Sequence, residues 1–248
     1  APASTDAVVF DAIDADGTSI VDQDFAIAAL LYTGEVATGT GAADHITDFD
    51  EGSTLAVSGN ATIGANNSQS RVNLTIANGT AVVAHVTGVN VGYNATGSGE
   101  VTGNLRLTGG ASLDASDADE LSVGRVTNDG WQAQANGTLV LGADSLIDLG
   151  TLAGPATLNI GWNESTTDSG FHQYLNHSSA TGLLDATNGA LNAELSELNV
   201  GMTSWRGTAN GTLIMGDDTT INTLTANIGV GTGATGTLTL LDNFAGTF

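Results

Sequence analysis

The chain has no cysteine and no lysine, only two prolines, and aromatic residues at 5% of its 248 positions. Without cysteine there can be no disulfide, no thiolate nucleophile and no cysteine-type zinc site. Long exported β-proteins are often held by stacked ladders instead of bridges, so the lack of cysteine does not fix the compartment. The four cations, Arg71, Arg106, Arg125 and Arg206, face 27 acids, for a net charge of −23. Nucleic acid is therefore a poor partner, because its phosphates need clustered Lys and Arg. An anionic membrane surface is disfavoured for the same reason, and no run approaches the roughly 18 apolar residues of a membrane-crossing helix. Scarce proline excludes collagen and proline-rich linkers despite 34 glycines. Scarce aromatics leave Leu, Ile, Val and Ala to build the core. Charged residues are only 12% of the chain, so most of the polar surface is amide and hydroxyl, a surface suited to carbohydrate, divalent cations or another subunit.

What is abundant is a repeat. A short signature of apolar, small polar, β-branched and Gly recurs at Ala61-Thr62-Ile63-Gly64, Val89-Asn90-Val91-Gly92, Leu121-Ser122-Val123-Gly124, Leu158-Asn159-Ile160-Gly161, Leu198-Asn199-Val200-Gly201 and Ala226-Asn227-Ile228-Gly229. Its period of two is that of a strand, and its glycine marks a bend. The glycines lie 28, 32, 37, 40 and 28 residues apart, so loops absorb the variation. A second apolar group follows each signature: Leu74/Ile76, Leu105/Leu107, Leu139/Leu141, Leu183, Leu213/Met215 and Leu238/Leu240. Turn dipeptides such as Asn-Gly and Thr-Gly introduce most of them. A third follows at Val82-Val83, Leu113, Leu146/Leu149, Leu191/Leu195 and Ile221/Leu224.

Three short strands per repeat, each with one apolar face, cannot bury a core alone and must stack on their neighbours. The expected fold is all-β, a parallel β-helix of about six three-strand coils over residues 54–248, roughly 30 Å long at about 4.8 Å per coil. The small polar position is Asn in four signatures and reads either as an amide ladder along the axis or as a solvated row.

Residues 1–53 lack the signature, and the first 51 carry 11 of the 27 acids. Here 7–13 reads as a strand and 25–32 as a buried strand or short helix. The segment is expected to be a non-repeating cap or connector, closing its own solenoid or reaching the open coil of a neighbour to make a head-to-tail fibre. The opening Ala1-Pro2-Ala3-Ser4, with no initiator Met, reads as a terminus left by signal-peptide removal or as the edge of an excised fragment.

The elements Asn136-Gly137-Thr138-Leu139-Val140-Leu141-Gly142 and Asn210-Gly211-Thr212-Leu213-Ile214-Met215-Gly216 resemble the repeat of autotransporter passenger domains and related bacterial exported β-helix proteins, over about residues 54–248. The resemblance implies a solenoid at a cell exterior, acting as an adhesin or surface fibre. It does not extend to the membrane-embedded barrel, and so implies nothing about the secretion route.

Several clusters are candidates for chemistry. Polysaccharide lyases and hydrolases also use parallel β-helices, but a lyase needs a base, which four Arg and no Lys hardly supply. Carboxylate pairs for glycoside hydrolysis exist at Asp114/Asp117/Asp119/Glu120 and at Asp217/Asp218, in turns where a solvated acidic loop is the plainer reading. No catalytic activity is expected. Asp14-Ala15-Asp16-Gly17 resembles part of an EF-hand, yet Ala12 and Gln23 occupy its first and twelfth ligand positions. Calcium, the one cofactor suggested, would bridge Asp44, Asp48, Asp50 and Glu51, or Asp114, Asp117 and Asp119. His172 and His177 share a long insertion with Trp162, Phe171 and Tyr174, either a platform for carbohydrate or a partner or a patch closing the loop. Nine sequons, at Asn60, Asn66, Asn73, Asn78, Asn94, Asn136, Asn163, Asn176 and Asn210, exceed the roughly four expected by chance. Asn-Gly-Thr is also simply the turn and strand start of the repeat.

The leading functional expectation is an extracellular structural protein, a fibre or adhesin subunit that self-associates head to tail. A carbohydrate-binding or carbohydrate-processing β-helix is the alternative. An ice-binding solenoid would need a regular Thr-x-Thr array, which appears here only sporadically.

Overall fold

A computed structural model describes residues 3–11, 17–33, 43–50, 53–65, 70–83, 88–95, 99–127, 133–165, 178–204, 207–241 and 246–247, with backbone alone at 11, 43–45, 65, 82 and 83. These residues form no helix, and their twenty-two strands pair in parallel. The apolar columns explain why: neighbouring repeats bring like side chains side by side, and a parallel stack buries them all.

The first ladder runs β1 (Ala7–Asp11), β4 (Ala29–Thr33), β7 (Ala61–Ala65), β10 (Val89–Asn94), β13 (Glu120–Val126), β16 (Ala156–Asn163), β18 (Ala190–Thr203) and β21 (Ala226–Val230). The second is β2 (Gly17–Val21), β5 (Ala43–Phe49), β8 (Ser70–Ala77), β11 (Gly99–Thr108), β14 (Ala133–Leu141), β17 (Ser179–Ala186), β19 (Thr208–Met215) and β22 (Ala234–Leu240). The third is β3 (Phe25–Ile27), β6 (Thr54–Val57), β9 (Thr80–Val83), β12 (Ser112–Ala115), β15 (Leu146–Leu149), the start of β18, and β20 (Thr219–Thr223). The chain visits the ladders in strict rotation, which is the topology of a parallel β-helix. Because β18 passes from the third ladder into the first without a turn, those two ladders form one 14-stranded sheet beside the 8-stranded second.

Strands from the first fifty residues join these ladders. Leu30, Leu31 and Tyr32 pair with Ala61, Thr62 and Ile63, so Tyr32 occupies the β-branched position of the signature. The 25–32 run is two strands, β3 and β4.

The core lies between the ladders, with columns such as Leu121, Leu158 and Leu198 or Leu105, Leu139, Leu184 and Leu213 fully buried. In β17 the register differs from expectation by one: Leu184 and Ala186 point inward, whereas Leu183 pairs with Thr138 and faces out. In the third ladder Ile147 and Leu149 carry the core, while Leu224 is 83% exposed.

The six signature glycines all adopt φ between 63° and 72°, a left-handed conformation that costs glycine little. A second glycine column, Gly103, Gly137, Gly182, Gly211 and Gly236, runs in register along the second ladder. The two columns face each other backbone to backbone. A Cβ on Gly137 would overlap the Gly124 backbone nitrogen and the Val91 carbonyl oxygen. This pinch separates the main core from a satellite cluster of Val126, Ala133, Ala135 and Ala180, beyond which the chain turns from the first ladder to the second.

Candidate functional site

The small polar positions of the signature point away from the core yet are buried: Asn90, Ser122, Asn159 and Asn199 are all at most 4% exposed. Asn227 Nδ2 donates to Asn199 Oδ1 at 2.8 Å, Asn199 Nδ2 to Asn159 Oδ1 at 2.8 Å, and Asn159 Nδ2 to Ser122 Oγ at 3.2 Å. Of the two readings of this row, the ladder holds. It breaks at Ser122, which is too short to continue it and turns its hydroxyl to Glu120 Oε1 at 2.5 Å. Among the described residues Asn90 Oδ1 has no hydrogen-bond partner, and it is buried.

Immediately after each glycine comes another column, in which Tyr93 pairs with Arg125, Arg125 with Trp162 and Trp162 with Met202. The Arg125 guanidinium lies 4.7 Å from the Trp162 ring centre and 5.9 Å from that of Tyr93, within cation–π range. It forms an ion pair with Glu120 and another, at 2.8 Å, with Glu164. Burial opposes the charge on Arg125, but Glu120 and Glu164 outweigh it and hold its pKa above the ordinary value. Burial pushes the Glu164 carboxyl up, and its ion pair with Arg125 only partly offsets this. The first signal for this cluster is the alignment column following the signature glycine, which pattern reading of the signature alone passes over.

Asn60, Asn90, Tyr93, Asp119, Glu120, Arg125 and Thr157 line a cleft of about 410 Å³ on this face.

The other candidates are scattered. Asp48 and Asp50 line a hollow beside Asn78, whose Nδ2 donates to Asp48 Oδ1 at 3.1 Å. Asp114 accepts from the Ser116 amide and hydroxyl, and Asp117 and Asp119 are exposed. Among the described residues no three His, Asp or Glu side chains converge on a metal-sized site. Asp14, Asp16, Glu51, His85, Phe171, His172, Tyr174 and His177 lie outside the described residues, as do the side chains of Asp44 and His45.

Among the sequons, Asn60, Asn78 and Asn210 are exposed, and Asn73 and Asn136 are half-buried. Asn73 Oδ1 accepts from Asn104, and Asn136 Nδ2 donates to Glu100. Asn94 and Asn163 are buried, and their amide nitrogens latch the two ladders beyond the pinch: Asn94 donates to the Gly99 and Gln134 carbonyls, Asn163 to those of Ser178 and Thr208. A glycan has no room on either nitrogen. Asn66 and Asn176 lie outside the described residues.

No protein-family model, no curated protein and no solved structure matches the chain.

Proposed function

We propose that the chain is an extracellular structural module, a β-solenoid segment of eight turns that serves as a shaft in a surface fibre or adhesin. The observation that carries this reading is the continuity of the three ladders along the stack. Hydrogen bonds between parallel strands lie along the stacking axis, so a pull along it is shared among three arrays at once. The buried amide row adds side-chain hydrogen bonds in the same direction. The likeness of the repeat to exported β-helix passengers supports the same setting, and the large negative charge favours solubility and discourages random lateral contact.

Val230 and Leu240 on the last strands, and Leu224 just after β20, are exposed. Thr247 already pairs with β20 on the third ladder; a further strand on the first and second ladders, from a longer form of this polypeptide or from another copy, would cover the rest of that surface, which we read as the place of head-to-tail association. Analytical ultracentrifugation and negative-stain electron microscopy of the 248-residue chain test the reading. Elongated rods that grow in length with concentration support it. Compact particles of one chain at every concentration, or release of sugar from a polysaccharide, overturn it.

A further inference from the structure

The last turn of the stack ends in the pattern with which the first begins. It runs from β21 in the first ladder to β22 in the second, and Thr247 returns to the third beside Thr220. There the Thr247 amide donates to the Thr219 carbonyl, and its own carbonyl accepts from the Ile221 amide. The first turn is β1, β2 and β3, and among the described residues no strand pairs with the outer edge of any of the three.

The interior differs at the two ends in a complementary way. One inward column of the second ladder starts with Ser19 and Thr47 and turns aliphatic at Ile76, Leu107 and Leu141. From β17 onward it continues as Ala186, Met215 and Leu240. Met215 is buried under the strand that follows it, whereas Leu240 is 54% exposed. At the other end the two short polar side chains border an apolar hollow of about 220 Å³, with Phe10, Phe25, Leu30 and Tyr32 among its other walls. Val8, Phe10, Ser19 and Phe25 around it are only half-buried. The same column thus finishes in a projecting leucine at one end and in a space at the other.

We propose that this hollow is the socket for Leu240 of a second copy of the chain. This deepens the head-to-tail reading above and rests on it. In the junction β1 adds to β21, β2 adds to β22 and β3 lies over Thr247, in the register that the ladders already hold. Val8 then meets Ala226, and Phe10 meets Ile228, each in its own inward column. Strand addition supplies backbone hydrogen bonds on both ladders, and Leu240 gains the apolar burial that each internal turn receives from its neighbour. A small apolar molecule would fill the hollow but leave the edges of β1 and β2 unpaired. Two bodies of charge −23 repel, so the association should strengthen as salt screens them.

The absence of cysteine lets the junction be tested covalently. Thr18 and Thr239, both exposed, begin and end one outward column. Across the junction they would be neighbours at the strand spacing of about 4.8 Å, within reach of a disulfide. Thr235, earlier on the same strand, would be out of reach. Oxidised Thr18→Cys/Thr239→Cys chains should therefore run as a ladder of multimers on non-reducing gels, and Thr18→Cys/Thr235→Cys chains as monomers. By sedimentation, Leu240→Ser should weaken association at least about tenfold. Val230→Ser, the same kind of loss in an outward column, should weaken it less than about threefold. Both variants should melt with the unaltered chain, so weaker association there is not loss of fold. Rods that form undiminished in Leu240→Ser, or cross-linking of the Thr235 pair as readily as the Thr239 pair, would overturn the socket and leave the shaft reading standing. Monomers at every concentration and salt would overturn both.

Discussion

The middle of the molecule and its amino-terminal end share one topology and differ in how the interior is filled. Between β10 and β19 several inward columns repeat one aliphatic side chain from strand to strand, as Leu105, Leu139, Leu184 and Leu213 do, and the core closes. In the first strands no such repetition exists. Phe10 stacks on Tyr32 with ring centres 4.6 Å apart, and Val8, Phe25 and Leu55 border an apolar hollow of about 220 Å³. Val9 and Ile20 on the outside are 53% and 65% exposed. Backbone pairing therefore sets the path of the chain in both regions, whereas packing density depends on whether like side chains recur in a column.

The strongest way to break this comparison is at the pinch. Gly137→Val should abolish cooperative folding, because both flanking contacts are backbone and cannot yield. Gly154→Ala, in a loop whose nearest atom lies 3.8 Å from the added carbon, should leave the circular-dichroism melt unchanged. Next, Leu139→Ala in the closed core should cost about 2–5 kcal/mol by urea unfolding, with the cost set by how little the site can collapse. Leu55→Ala, beside the existing hollow, should cost less than half as much. Equal losses would mean that the two interiors are packed alike.

A smaller effect is expected in the amide row. Asn199→Ala leaves Asn159 Oδ1 without its donor and Asn227 Nδ2 with Glu197 as its remaining acceptor, and should cost about 1–3 kcal/mol. Asn192→Ala, whose amide bonds Asp148 at the surface, should change stability much less, measured by the same unfolding series.

A last effect, confined to alkaline pH, concerns the amino-terminal end. Burial pushes the Tyr32 phenol up to about 12 from its ordinary 10, with its 2.5 Å hydrogen bond to Thr47 a lesser pull downward. Below pH 10 both folded and unfolded chains keep the proton, so this group leaves stability unchanged. From pH 10 the unfolded chain loses it first, and stability should fall until the folded phenol ionises near 12. Tyr32→Phe should flatten that part of the stability–pH curve. A persistent slope would assign it to another group.

The parallel stack and five of the six second-strand groups are legible in the sequence because stacking makes the repeat visible: a period of two ending in a glycine that must be left-handed. Leu183 and Leu184 are ambiguous in isolation, since a run of two leucines does not say which faces inward; the pairing of Leu184 with Leu139 decides it. The place of the first fifty residues in the ladders stays hidden because Tyr32 and Thr33 stand where later repeats have Ile or Val followed by Gly. The cleft is hidden for a different reason. Tyr93, Arg125 and Trp162 are more than thirty residues apart in pairs, and only the register joins them. The orphaned acceptor on Asn90 likewise follows from a serine on the next strand, not from anything beside it in the chain.

The pinch also explains how the spacing between signatures can drift without disturbing the fold. The longest connection from the first ladder to the second runs between Asn163 and Ser179, and its two ends are held together beyond the facing glycines by the Asn163 amide on the Ser178 carbonyl. Segments added there enter and leave through a fixed gate, so the body cannot register their length. Each turn thus behaves like a socket on a rail, where the fitting can be exchanged one repeat at a time while the rail keeps its gauge.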